Sequence, residues 1–172
     1  MDSNKEKLSN RSKKINPSSN LKKDAETSYQ IRELEKKDLD LSLGFLETLS
    51  NLSEVGNLSL ESAEEVLEII NAQGSRVFVA VSDDGQIIGS LTLMLEQKFL
   101  REGKLAGHIE DVVARKGYEG MGVASALMKR AIEIAKESRC YKLILDCHDE
   151  LMPFYQKFGF QKNDNCMKIY FE

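Results

Sequence analysis

Three carboxylates interrupt or follow short apolar runs that are typical of β-strands. Glu110 and Asp111 lie within the run HIEDVVA at residues 108–114, and Asp146 falls in the run KLILDC at residues 142–147. A carboxylate at a strand end accepts hydrogen bonds from hydroxyl groups and attracts a cationic amine. These residues predict a crevice for a small, hydroxylated, cationic ligand, although Glu110 and Asp111 also fit a solvated strand end.

A glycine turn, EGMGVA at residues 119–124, lies between the first of these runs and a helical pattern. Glycines allow a tight turn, and the unpaired amides that open a helix favour an anion such as a pyrophosphate. An isolated Gly-x-Gly also serves simply as a turn. A Rossmann fingerprint fits poorly because Ser125 replaces the third glycine, and a P-loop is excluded because Gly-Lys-Ser/Thr is missing.

Hydrophobic periodicity predicts an α/β (α+β) fold: a mixed, mostly antiparallel sheet with helices on both faces. The predicted strands are residues 29–34, 76–82, 87–99, 108–114, 142–147 and 166–171. The predicted helices are residues 38–52, 61–74, 122–139 and 150–160, and residues 52–59 and 100–107 are predicted loops. An Asp-Gly turn at residues 84–85 predicts that the second and third strands form a hairpin.

Length and composition indicate one soluble domain. The 172 residues are 41% hydrophobic, and no apolar run approaches the roughly 20 residues that span a bilayer. Residues 1–28 carry seven basic and four acidic side chains, which predicts a mobile basic tail before a domain at residues 29–172. The whole chain has a net charge of −4, and residues 29–172 alone have −7. This acidic domain argues against nucleic acid as the main ligand.

The three cysteines, Cys140, Cys147 and Cys166, form neither an even disulfide set nor a Cys-x-x-Cys pair. They are predicted to be reduced, buried thiols, which favours the cytoplasm or another reducing interior. No metal is expected from this pattern.

The turn at residues 119–124 resembles the acetyl-CoA motif of the GNAT N-acetyltransferases, Gln/Arg-x-x-Gly-x-Gly/Ala, through Gly122 and Ala124. Glu119 departs from that motif, and its carboxylate would repel a pyrophosphate unless it turned away or paired with Arg115 or Lys116. The resemblance implies acetyl-CoA as cosubstrate. It assigns the donor site to Val112, Val113, Glu119, Gly120, Met121, Gly122, Val123, Ala124, Ser125 and Tyr155.

Four segments in this order, residues 95–99, 107–113, 140–147 and 153–160, are similar to the glucosamine-6-phosphate N-acetyltransferases within that superfamily. Residues 52–56 are similar to the loop on the sugar side of those enzymes. The resemblance implies direct transfer of acetyl from acetyl-CoA to the amine of D-glucosamine 6-phosphate in a ternary complex, a step toward UDP-N-acetylglucosamine.

The same resemblance implies roles for individual side chains. Asp146 orients the amine, Glu110 and Asp111 hold the amine region and hydroxyls, and the Tyr155 phenol donates to the leaving thiolate. Tyr170 replaces an arginine of the family at the sugar phosphate, and Arg101 is expected to compensate. The implied catalytic residues are Asp146, Tyr155 and Glu110. The implied substrate residues are Ser53, Lys98, Arg101, Glu110, Asp111, Tyr141, Lys142, Asp146 and Tyr170.

Several alternatives stay open at this point. The acceptor could be another amine, such as a polyamine or a protein lysine, or the chain could be a non-catalytic acyl-CoA-binding module. Tyr155 also fits an aromatic packing role, and Cys147 would permit a ping-pong route, although its neighbour His148 would face the opposite way on a strand. His108 fits a local hydrogen bond better than a base. The apolar C-terminal run predicts a homodimer, and neither nucleic acid nor membrane is an expected partner.

Overall fold

A computed structural model describes residues 28–171 and shows a five-stranded sheet. The strands are β1 (Tyr29–Glu33), β2 (Arg76–Ser82), β3 (Ile87–Gln97), β4 (Leu105–Ala114) and β5 (Lys142–Leu145). They lie side by side in sequence order; the first four are antiparallel and β5 runs parallel to β4. The predicted mixed sheet and the Asp-Gly hairpin are confirmed. The tail predicted for residues 1–28 lies outside the described residues, except for Ser28.

Five helical segments accompany the sheet. They are α1 (Phe45–Leu49), α2 (Leu60–Ala72), α3 (Leu100–Gly103), α4 (Val123–Glu137) and α5 (Met152–Gln156), with 3-10 turns at Lys36–Leu39, Leu41–Leu43 and Asp149–Leu151. Helix α2 begins at Leu60 because the Ser59 hydroxyl accepts a hydrogen bond from the Ser62 amide. Within the described part of the chain, every helix is too short or too polar to cross a bilayer.

The sheet separates two hydrophobic cores because successive side chains of a strand point to opposite faces. On β2, Val77 and Val79 pack against α1 and α2, whereas Phe78 and Ala80 pack in the larger core beneath α4. Helix α4 has a continuous buried stripe that includes Leu127 and is typical of an amphipathic helix on a sheet. The predicted placement of helices on both faces is confirmed.

The helix predicted at residues 38–52 is broken. Only Phe45–Leu49 is α-helical, because Gly44 adopts a left-handed conformation (φ 80°) and ends the preceding 3-10 turn. The guanidinium of Arg115 packs where a Cβ on Gly44 would lie, so a side chain here would have to displace Arg115 and would be strained by the positive φ. The predicted loop 100–107 is also too long, since β4 begins at Leu105.

A bidentate ion pair joins β1 to the segment before α1. Arg32 donates from Nη1 and Nη2 to the two carboxylate oxygens of Asp38 at 2.5 and 2.7 Å, and the Glu35 amide donates to Asp38 Oδ2 at 2.8 Å. The Asp38 side chain is only 2% exposed. Burial raises the pKa of Asp38, but the hydrogen bonds from Arg32 and Glu35 outweigh it and hold the pKa below its usual value.

The final strand predicted at residues 166–171 is wrong for the single chain. Residues 165–171 have no regular secondary structure, and Met167, Ile169 and Phe171 are exposed. A strand needs a partner for its backbone, and none of residues 28–171 pairs with this segment.

The prediction of buried thiols is also wrong for two of the three cysteines. Cys147 and Cys166 are exposed, because the segments that carry them lie beyond the end of β5, outside the helix-covered core. Cys140 is half-buried beside Gly107.

Candidate active site

The site is built where two parallel strands separate. Strand β4 pairs with β5 from Ala106 opposite Lys142 to Ile109 opposite Leu145, and the pairing then stops. Residues 110–114 of β4 continue to pair with β3 on their other side. One backbone edge of this stretch, which includes the predicted Val112 and Val113, is therefore free to bind an extended ligand as an added strand.

A β-bulge lies on the same stretch of β4. Ser90 is opposite Val113 and Thr92 is opposite Glu110, so Asp111 and Val112 both face a single residue of β3. Asp111 adopts a left-handed conformation (φ 53°), which aspartate tolerates better than most residues. A bulge disrupts the ladder and redirects the strand, so it turns the backbone beside the carboxylates away from regular pairing.

The turn before α4 forms the predicted nest of amides. Gly122 adopts a left-handed conformation (φ 81°), and the first hydrogen bond of the helix runs from the Ala126 amide to the Gly122 carbonyl at 2.9 Å. The amides before Ala126 are left without helical partners. A cavity of about 260 Å³ lies here, lined by Ala114, Tyr118, Gly120, Gly122, Val123, Ala124, Ser125 and Phe154.

One predicted amide of the nest is already used. The Met121 amide donates to the Tyr118 carbonyl at 3.4 Å, so it closes the turn. The Met121 carbonyl accepts a hydrogen bond from the Tyr29 hydroxyl, also at 3.4 Å. Tyr29 opens β1, 92 residues earlier, and no local sequence pattern connects it with this turn.

Glu119 turns away from the nest. Its carboxylate accepts a hydrogen bond from the Gly117 amide at 2.6 Å. Arg115, considered from the sequence as a partner for Glu119, instead pairs with Glu47 and donates to the side-chain oxygen of Gln86. The Glu119 carboxylate, at the position where the family motif has Gln or Arg, is therefore bound by an amide of its own loop.

A second cavity, of about 810 Å³, lies along β5. Its lining includes Lys142, Asp146, Cys147, Tyr155 and Cys166. Tyr155 is the buried residue of α5, and burial, followed by the nearby Cys147, raises the pKa of its phenol. The phenol thus keeps its proton at neutral pH, as a proton donor requires.

Two adjacent residues of α5 face different cavities. Phe154 lines the cavity at the nest, whereas Tyr155 lines the cavity along β5. Their rings meet edge to face with centroids 5.0 Å apart. This pair of rings forms a wall between the two cavities.

The carboxylates meet at the end of the β4–β5 pair. One atom each of His108, Glu110 and Asp146 lies within 4.8 Å of the other two. The thiol of Cys166 donates to Asp146 Oδ2 at 3.1 Å. The predicted grouping of Glu110 with Asp146 is present, whereas the approach of Cys166 depends on a chain reversal that sequence spacing does not reveal.

The predicted substrate residues outside the carboxylate cluster do not share one cavity in the single chain. Lys98 pairs with Glu96, and Lys142 lies 5.8 Å from the centroid of the Tyr141 ring. Of the predicted substrate residues outside the carboxylate cluster, Lys142 alone lines either cavity described above. The others lie at the surface or are half-buried; they are Ser53, Lys98, Arg101, Asp111, Tyr141 and Tyr170.

Comparison with known proteins fits this geometry. The profile of the Acetyltransferase (GNAT) family matches residues 45–160. The chain belongs to the GNAT acetyltransferase family. GNAT acetyltransferases use acetyl-CoA as cosubstrate, and the nest and the free edge of β4 fit its pyrophosphate and its extended pantetheine arm.

Two curated GNAT relatives are similar over most of the chain. The glucosamine 6-phosphate N-acetyltransferase of Trypanosoma brucei brucei is 37% identical over 142 residues, which cover 81% of this chain and 94% of that protein. The probable glucosamine 6-phosphate N-acetyltransferase 2 of Oryza sativa subsp. japonica is 39% identical over 149 residues, covering 84% and 89%.

A solved GNAT structure agrees with the fold. The crystal structure of glucosamine-6-phosphate N-acetyltransferase from Arabidopsis thaliana superimposes with a TM-score of 0.80 at 33% identity. The alignment covers 84% of this chain and 99% of that one.

Gly89 on β3 lies under the start of α4 and allows close packing of this helix on the sheet. A substitution of Gly89 therefore tests whether that packing affects the acetyl-CoA site. A Cβ at Gly89 would overlap Val123 Cγ1 and lie 3.0 Å from the Val113 carbonyl oxygen. We expect Gly89→Ala to destabilise the fold by about 1–3 kcal/mol through overpacking and to raise KM for acetyl-CoA, because Val123 begins α4. Urea unfolding and steady-state kinetics measure the two effects.

Gly107→Ala is the matched control for this prediction. A Cβ at Gly107 would lie 2.5 Å from Leu143 Cδ1, the far end of a side chain that can rotate away. This variant should lose less stability and keep the KM for acetyl-CoA. An unchanged KM in Gly89→Ala as well would show that the packing of α4 does not set the donor site.

Proposed function

We propose that this protein transfers the acetyl group of acetyl-CoA to the amine of D-glucosamine 6-phosphate. The observation that carries the proposal is the carboxylate cluster of Glu110 and Asp146 at the point where β4 and β5 separate. It adjoins the free edge of β4, in a chain whose relatives bear that enzyme's name. An amino sugar brings a cation and hydroxyls, which are the groups that carboxylates bind.

The donor is held by backbone groups. The amides that open α4 receive the pyrophosphate, and the helix dipole adds a favourable field. The pantetheine arm lies along β4, where an amide of Val112 or Val113 polarises the thioester carbonyl. Both features support a position of the acyl carbon near the end of β5.

The acceptor amine attacks that carbon directly. Asp146 orients the amine, a C–N bond forms, and the C–S bond breaks to leave the thiolate of CoA. The amine loses one proton to solvent, directly or by way of Asp146, and the thiolate gains one from the Tyr155 phenol, which is reprotonated from solvent. Direct transfer is favoured over an acetyl-Cys147 intermediate because the nearby carboxylates raise the pKa of the Cys147 thiol further, after burial, and keep it protonated.

Tyr155→Phe tests the proton donor. The substitution removes the hydroxyl and leaves the ring packing intact. The leaving thiolate then loses one hydrogen bond as its charge develops, so we expect kcat to fall about 10- to 50-fold. KM for both substrates should change little. Phe160→Tyr adds a hydroxyl to the ring that packs against Tyr155. If adding Phe160→Tyr to the Tyr155→Phe variant restores the rate, a hydroxyl at the neighbouring ring can also donate the proton.

Release of the CoA thiol in the presence of amine acceptors tests the function itself. We expect glucosamine 6-phosphate to react at least about tenfold faster than unphosphorylated glucosamine, measured as kcat/KM. Faster reaction with a polyamine or a lysine peptide would assign a different acceptor. Calorimetric binding of acetyl-CoA without turnover of any amine would indicate a binding module.

We place the reaction in the cytoplasm, as a step toward UDP-N-acetylglucosamine. The three cysteines without disulfide partners support a reducing interior.

We also propose a homodimer built through the C-terminal segment. Residues 165–171 expose Met167, Ile169 and Phe171, and Ile144 on β5 is exposed beside an edge that no described residue pairs. An unpaired edge and an apolar strand-like segment are complementary, and pairing them between copies covers both. Tyr170 belongs to the same segment.

Ile169→Asp should shift the protein to the monomer, whereas Lys168→Asp, at the adjacent position, should preserve the dimer. Light scattering at micromolar concentration measures both masses. A monomeric parent protein would contradict the proposed assembly.

A further inference from the structure

The side chain of Arg115 joins the donor turn to the region of α1. The donor turn is residues 115–122, which lead from β4 into the amides that open α4. The guanidinium pairs with the Glu47 carboxylate on α1 and donates from Nη1 to Gln86 Oε1 at 3.1 Å. Gln86 in turn donates to the Ser42 carbonyl at 3.2 Å. Arg115 therefore contacts α1 directly and contacts the 3-10 turn before it through Gln86.

The backbone of Arg115 is fixed to the same strand that holds α1. Its amide donates to the Ile88 carbonyl at 2.8 Å, which continues the pairing of β4 with β3. The hydroxyl of Thr48, on α1, donates to the adjacent carbonyl of Ile87 at 2.9 Å. The Arg115 side chain, only 19% exposed, fills the space between α1 and the start of the donor turn.

The rest of the donor turn has few external contacts. Gly117 and Gly120 adopt left-handed conformations (φ 92° and 77°), and a Cβ on either would lie in open space. Within the part of the chain that the structure describes, residues 116–121 hydrogen-bond inside the turn, except that the Met121 carbonyl accepts from Tyr29 at 3.4 Å. Such a segment loses conformational entropy when a ligand orders it, so an anchor that orders it beforehand favours binding.

Arg115 acts on the donor site through the backbone and not as a ligand of the phosphates. Its guanidinium is already paired with Glu47, and a paired guanidinium offers little net charge to an anion. The 260 Å³ cavity at the nest is lined by the neighbouring Ala114 and by Tyr118, whereas Arg115 lies outside its lining.

We propose that Arg115 is a positioning residue for acetyl-CoA, because its contacts with Glu47 and Gln86 hold the donor turn in the conformation that receives the pyrophosphate. The proposal concerns the donor that GNAT acetyltransferases share, so it does not depend on the identity of the acceptor. Glu47 and Gln86 lie 68 and 29 residues before Arg115, which is why the sequence suggested the nearby Glu119 as its partner instead.

Calorimetric titration with acetyl-CoA tests this role without any acceptor. Arg115→Met keeps an unbranched apolar side chain but removes the guanidinium. It should raise the Kd about 3- to 30-fold, the range for residues that act on a site through others. Glu47→Ala removes the anchor of the same guanidinium and should also raise the Kd. In the Arg115→Met background, Glu47→Ala should add nothing further, as expected when both substitutions remove one shared interaction.

Glu33→Ala is the matched control. Glu33 also forms an ion pair with an arginine, Arg76, but the pair joins β1 to β2, and its loss should leave the Kd unchanged. In steady-state kinetics, Arg115→Met should raise KM for acetyl-CoA, whereas kcat should change less than about twofold. Partial unfolding would instead lower the amount of active protein and leave KM unchanged.

An unchanged Kd in Arg115→Met, or an equal loss of affinity in Glu33→Ala, would overturn the positioning role. Tighter binding in Glu47→Ala would overturn it as well, because the freed guanidinium would then be contacting the phosphates directly. A protein that shows the expected changes in Kd but acetylates no amino sugar would refute the proposed function and leave the role of Arg115 standing.

Discussion

Asp146→Asn is expected to lower kcat about 10²- to 10⁴-fold, the range for a side chain that positions or accepts a proton in the reacting complex. The amide keeps the size of the side chain but loses the charge that orients the amine. The carboxylate sits with Glu110 and His108 at the end of β5, away from the amides that open α4. The affinity for acetyl-CoA, measured by calorimetry, should therefore change little.

Asp149→Asn is the control for Asp146. Asp149 is an exposed acid three residues further along the chain, and it lies 3.8 Å from Lys162. It should keep the parent rate. If both variants keep it, Asp146 has no part in the reaction, and if Asp146→Asn loses acetyl-CoA binding as well, the residue has a structural role.

Asp38→Asn is expected to destabilise the fold by about 3 kcal/mol, because it leaves the Arg32 guanidinium without its charged partner in a largely buried position. The pKa of Asp38 is held below its usual value. Its contribution is therefore complete above the unfolded pKa, about 3.9, and is lost as the pH falls through the folded pKa. Urea unfolding from neutral to acid pH should show the gap between parent and variant closing below about pH 4.

Glu35→Gln separates this ion pair from the general effect of removing an acid. Glu35 lies 3.8 Å from the same guanidinium but is half exposed, so its removal should cost less than about 1 kcal/mol. Equal losses in the two variants would mean that burial adds nothing to the Arg32–Asp38 pair.

Local patterns were sufficient to predict the sheet and most of the helices. The Asp-Gly turn between β2 and β3 and the amphipathic stripe of α4 each act within a few residues of the chain. Glu110, Asp111 and Asp146 were predicted to share a crevice because all three lie at strand ends. The fold brings Glu110 and Asp146 together, whereas Asp111, on the bulge of β4, is exposed and lies outside this cluster.

The remaining features depend on contacts distant in sequence. Gly44, whose left-handed conformation breaks the predicted first helix, packs against Arg115, 71 residues later. The bulge at Asp111 requires the register of β3, and the contact of Cys166 with Asp146 requires the chain to return past β5. Residues 166–171 were predicted as a strand from their apolar pattern, but a pattern cannot supply a pairing partner.

The rings of Phe154 and Tyr155 separate the cavity at the nest from the cavity along β5, which we propose as the donor and acceptor compartments, and they belong to a single turn of helix. Because the two rings pack against each other on one turn, we expect a larger or smaller ring at either position to change both compartments. Engineering this scaffold for a longer acyl group therefore requires compensating changes on the acceptor side from the outset.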